Sequence, residues 1–155
     1  MQTHEHLFEL VAYNEWANSR VAASLEAADS ERSRQILSHI VTTEGEYLER
    51  FDGKDLTGFN FWPELTIGEC EQQNLDNGRR YRALVNEAGE AALDRVLHYK
   101  NSRGESHENT IRELVSHVLI HSAIHRGNII LKLRESGFEP PKTDNLVYLR
   151  ETKRT

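Results

Sequence analysis

Four long segments, 3–28, 31–51, 66–93 and 111–136, carry apolar residues at three- and four-residue steps. That period of about 3.6 belongs to amphipathic helices and leaves little room for strands. In the first segment the recurring positions are Leu7, Leu10, Val11, Asn14, Ala17, Val21 and Leu25. Asp29-Ser30 breaks the pattern and offers an N-cap to the second segment, whose face carries Ile36, Leu37, Ile40, Val41, Tyr47, Leu48 and Phe51. A loop over 52–63 holds Gly53, Gly58, Pro63 and three aromatics, Phe59, Phe61 and Trp62. The third and fourth segments each open on a capping-box spacing, Thr66 with Glu69 and Thr110 with Glu113. The third is the most polar, with Leu75, Tyr81, Leu84, Val85 and Ala88 as its apolar face; the fourth stops at Gly137, ahead of Pro140-Pro141. Between them, 96–100 and 104–109 flank Asn101-Ser102-Arg103-Gly104, a short β-hairpin or an irregular excursion. Residues 144–151 read as a tail. The expectation is an all-α fold: one four-helix-bundle domain over 1–155, with a short hairpin-like excursion between helices 3 and 4.

The chain has 155 residues and a formal net charge of −6, and its only basic clusters are Arg79-Arg80 and Lys153-Arg154. Neutralising phosphates needs a basic surface, so no nucleic-acid partner is expected. The single cysteine, Cys70, forbids both an internal disulfide and a cysteine-based zinc cluster. It has nothing basic beside it to make it a nucleophile. The residues after Met1 lack the pattern of a secretory signal, and no apolar run approaches the ~20 residues that span a bilayer. A cytoplasmic protein with no membrane partner is expected.

His117, His121 and His125 stand at i, i+4 and i+8 in the fourth segment. Each step rotates only about 40° around a helix, so the three share one face with Leu114, Val118 and Ile129. Imidazoles on an apolar face need hydrogen-bond partners or a metal. Two histidines one turn apart can close on one divalent ion; two that are eight residues apart, separated by about 12 Å of helix rise, are poorly placed to do so. Spacing therefore leaves two pairs open, His117/His121 and His121/His125. His39, in the middle of the second segment, is the best third ligand. Three protein ligands leave coordination positions open, as catalytic sites do. The plain alternative is a set of core histidines bonded to backbone or carboxylates.

The stretch His117-Val-Leu-Ile-His121-Ser-Ala-Ile-His125-Arg-Gly-Asn128 resembles a signature, H-x-x-x-H-x-x-x-H-R-G-(Q/N), of the DinB/YfiT-like superfamily of metal-dependent proteins. Tyr13-Asn14-Glu15-Trp16-Ala17-Asn18 resembles the first-helix motif, Ser38-His39-Ile40 ahead of Glu44 resembles the second-helix histidine region, and 144–151 resembles the ending. The resemblance implies a four-helix bundle with a divalent ion, nickel or zinc, on His39, His121 and His125. It makes His117 a pocket or second-sphere residue and the protein a homodimer. Relatives include thiol S-transferases that use small thiols and a maleylpyruvate isomerase. The implied function is a metal-dependent transferase or hydrolase acting on a small-molecule substrate, with a low-molecular-weight thiol as possible cosubstrate. The alternatives are a metal-dependent binding or sensing protein without turnover, and a structural dimeric bundle.

Four further residues have a structural alternative to a functional role. Arg126 either binds an anionic substrate or pairs with a carboxylate on another helix. Asn128 lies on the histidine face, where it can orient a ligand imidazole. Trp16, with Tyr13 and Asn14, either lines the pocket or is core. Glu44 reads as a surface carboxylate rather than a general base. The apolar tail at Leu146-Val147 and the aromatics at 59–62 are candidate surfaces for a partner copy.

Overall fold

A computed structural model describes residues 1–28 and 30–153, with Ala88 in backbone only. The capping role expected at Asp29, the apolar face at Ala88 and the basic residue Arg154 lie outside the described residues. The element order is α1 (Thr3–Ala27), α2 (Glu31–Phe51), α3 (Ile67–Ala92), β1 (Val96–Lys100), β2 (Ser106–Thr110), α4 (Ile111–Glu135) and α5 (Asn145–Thr152). The fold is mostly helical, with one small antiparallel sheet. Thr66 and Thr110 accept from the backbone N–H of Glu69 and Glu113, whose side chains return the bond. Ser30 caps α2 through the N–H of Ser33.

Of the two forms expected for the excursion, the hairpin is the one present, with Val96 opposite Thr110 and Lys100 opposite Ser106. Two expectations are corrected. The third helix is broken at Gly89, whose φ of 61° and ψ of −174° only glycine adopts easily. Next to the break, Glu90 accepts from the backbone N–H of His4 and ties the end of α3 to the start of α1. The tail is a helix, α5, laid along α1: Tyr148 meets Trp16 edge-on at 5.3 Å, the Tyr13 hydroxyl donates to the Thr143 carbonyl, and Arg20–Glu151 and Lys153–Glu9 pair outside.

The long helices pack α1 against α3 and α4, and α2 against α3 and α4. Their apolar side chains form two clusters rather than one. Val21, Leu25, Ile36, Leu37, Ile40, Ile129 and Leu133 make the first; Leu7, Val11, Leu48, Tyr81, Val85, Val115 and Val118 belong to the second. Along every long helix, buried polar residues stand between the two clusters: Asn14 and Asn18 on α1, Glu44 on α2, Asn74 and Asn77 on α3, Ser122 and Arg126 on α4. Glu44 Oε1 accepts from Asn14 (2.7 Å), Asn18 (3.0 Å) and Ser122 (2.7 Å), while Arg126 donates to the side-chain oxygens of Asn14 and Asn18. The Tyr81 hydroxyl reaches the Glu44 carbonyl, and Asn77 reaches that of Val41. Glu44 is thus no surface carboxylate but is 2% exposed. The polar look of α3 has the same cause, since Asn74 and Asn77 face inward while Leu75, expected in the core, is 43% exposed.

Glu44→Ala leaves three buried donors, on Asn14, Asn18 and Ser122, without their acceptor, and removes the carboxylate from the network that holds the Arg126 charge. It should lower unfolding free energy by roughly 3–5 kcal/mol, the cost of breaking a buried charged network. Leu75→Gln should stay within about 0.5 kcal/mol, as surface changes do. Urea titration of both variants checks the pair.

Candidate metal centre

His39 leaves α2 toward α4, and His121 and His125 leave α4 toward α2, at the rim of the polar layer. One ring nitrogen from each lies within 4.8 Å of the other two. His39 Nδ1 is 2.8 Å from the Phe61 carbonyl, so it carries the proton and donates. That leaves the His39 Nε2 lone pair facing His121 Nε2 at 3.3 Å. Two nitrogens bound at ~2.0–2.1 Å to a tetrahedral ion stand about 3.3 Å apart, so the spacing fits a shared cation. The indole of Trp62 stacks on one face of His39, 3.8 Å between centroids and 4° from parallel, with its ring 6.2 Å from that of His125. His125 meets His39 and His121 edge to face, at 4.7 and 4.5 Å. The buried Nδ1 of His121 has no hydrogen-bond partner among the described residues.

Burial is the main cause that lowers all three pKa values. His121 is pushed furthest, to about 4, by burial and then by the imidazoles of His125, His39 and His117. The three rings are neutral at pH 7, the form that ligates.

The other candidates fall in different places. His117 is exposed, its ring 5.9 Å from His121 and 5.4 Å from Tyr47, and it stands outside the three-nitrogen cluster. Asn128 reaches toward His125 Nδ1 at 3.5 Å. Arg126 is committed to Asn14 and Asn18, so its charge serves the core. Trp16 packs against Tyr13, Tyr148 and Arg20 on the side that α5 covers. Cys70 is buried, and its thiol is pushed up to about 12, chiefly by burial. The sequence reading missed the Phe61 carbonyl and Trp62 as the wall behind His39. Their only signal was an aromatic cluster in a loop that precedes a capped helix.

The DinB family profile matches residues 1–155. The chain belongs to the DinB family. It is 27% identical over 165 residues to Protein DinB of Bacillus subtilis (strain 168), covering 94% of this chain and 95% of that relative. No solved structure matches it.

The lowered pKa values give a stability consequence for metal-free protein. The unfolded chain takes up a proton at each of these histidines near pH 6.5, whereas folded His121 resists until about pH 4. Its contribution is complete above the unfolded value and is lost as pH falls toward the folded one. Unfolding free energy in urea should therefore drop between pH 7 and 5, and less steeply for His121→Phe; equal slopes would contradict a neutral, buried His121.

Proposed function

We propose that His39, His121 and His125 hold one divalent ion, nickel or zinc, and that the chain is a metal-dependent transferase or hydrolase acting on a small molecule. The observation that carries this reading is the convergence of three neutral imidazoles from two helices, with facing nitrogens 3.3 Å apart. The four long helices serve as a four-helix bundle in this reading, and its packing aims the imidazoles. Three protein ligands suit an open, reactive site better than a closed structural one. Such an ion supplies a Lewis acid that makes a thiol or water a nucleophile at neutral pH. A small thiol is therefore the proposed cosubstrate.

The protein's own contribution is orientation. The Phe61 carbonyl fixes the His39 tautomer, and Trp62 prevents the ring from turning. Asn128 is placed to steady His125. No described helix is long and apolar enough to cross a membrane; the cytoplasm is the proposed compartment.

Elemental analysis of untagged protein should find close to one divalent ion per chain. His121→Ala should lose it and His117→Ala should keep it. A wild type that takes up neither added zinc nor nickel would make the histidines core residues. Retained metal without turnover in a thiol-transfer and hydrolysis screen would favour a binding or sensing role.

A homodimer is the proposed assembly. Ile120, Ile124 and Leu131 run along the outer face of α4 at 61, 62 and 51% exposure, a stripe that a second copy would cover. Ile124→Glu should convert a sedimenting dimer to a monomer; a monomeric wild type at micromolar concentration contradicts the assembly.

A further inference from the structure

A cavity of 810 Å³ opens between the end of α2 and the hairpin, away from the three histidines, and Arg50, Lys54, Asp55, His98, Tyr99 and Lys100 line it. Arg50 is 6% exposed. Its Nε donates to Glu46, and its guanidinium lies 4.2 Å over the Tyr47 ring and 4.8 Å over that of Tyr99. Two rings and one carboxylate therefore hold a permanent cation in a fixed pose at the cavity wall. The carboxylate only partly balances it. Glu46 Oε2 has no partner among the described residues, and burial pushes the Glu46 carboxyl up despite the arginine.

The acidic residues on the rim are already engaged. Asp55 accepts from the N–H and hydroxyl of Thr57, and Glu108 lies 3.4 Å from His98. Lys54 pairs with Glu49, and Lys100 adds a third cation. The lining itself carries these three cations against two carboxylates, Asp55 and Glu108, in a chain of net charge −6. It also leads toward the histidines. Tyr99, Tyr47 and His117 line a smaller adjoining cavity of 190 Å³, and the His117 ring lies 5.9 Å from that of His121.

We propose that this cavity binds the anionic end, a carboxylate or a phosphate, of a small molecule whose other end extends past Tyr47 and His117 to His121. Arg50 is the fork that receives the anion, Lys54 and Lys100 draw it in, and the aromatic row sets the length of molecule accepted. The direction of the ligand rests on the metal reading above; the anion subsite does not.

The test is a titration of the full-length, 15N-labelled chain, metal-loaded and metal-free, with 4-hydroxybenzoate, phenyl phosphate and neutral 4-hydroxybenzamide. At least one anion should bind five or more times tighter than the amide and shift the amides of Arg50, Tyr99 and Lys100. The preferred anion tells carboxylate from phosphate. Lys54→Gln with Lys100→Gln, both at exposed side chains, should weaken that anion at least threefold. Arg50→Met combined with Glu46→Gln, which removes the buried pair together, should abolish its preference over the amide. Equal binding of the amide, shifts confined to other surfaces, or indifference to the lysine changes overturns the proposal. Metal content of the same samples separates the two readings. Anion binding in a chain that takes up no metal removes the metal site alone, and metal uptake without anion preference removes this subsite alone.

Discussion

One carboxylate oxygen fixes the relative positions of the helices. Glu44 Oε1 receives three hydrogen bonds from two helices other than its own, and the backbone carbonyl of the same residue receives one from α3 through Tyr81. A greasy interface tolerates sliding by a fraction of a turn, because one aliphatic contact is much like another. A buried carboxylate does not, since a small shift strands either the charge or its donors in a medium that solvates neither. The layer around Glu44 therefore sets the register of α1, α2, α3 and α4 against one another.

The candidate metal centre takes its geometry from that register. His121 and His125 flank Ser122 and sit beside Arg126 in sequence, so the residues that anchor α4 to Glu44 and α1 also aim the two imidazoles. His39 lies one helical turn and a residue before Glu44 on α2. The remaining freedom, rotation of the His39 ring, is removed by the Phe61 carbonyl on one side and the Trp62 indole on its face. The orientation of the three imidazoles is thus set by the core before anything binds.

Much of this was legible in the sequence, and the parts that were not share a cause. Helix positions came from apolar periodicity and from the reciprocal caps at Thr66 and Thr110, which are local signals. Bringing His39 to His121 was within reach because both lie on amphipathic helices. Spacing alone left the second α4 ligand open between His117 and His125; the resemblance chose His125, and the cluster contains it. The misreadings were Glu44 and Leu75. Each was sorted by polarity, whereas its burial was decided by partners on other helices. For Arg126 and Trp16 the sequence left a functional and a packing role open; in the fold Arg126 donates to Asn14 and Asn18, and Trp16 packs against Tyr13, Tyr148 and Arg20. The Phe61 carbonyl was invisible because every residue has one, and only the folded loop says which is used.

The short α5 carries a consequence for synthesis. Its Tyr148 covers the outer aromatic face of α1, Tyr13 and Trp16, and its charged residues clasp Arg20 and Glu9. Along the chain, α1 thus waits for α5, which is made well after it. At ~5–20 residues per second, that interval is on the order of 10 s. Throughout it Tyr13 and Trp16 stay uncovered on α1 until the clasp arrives.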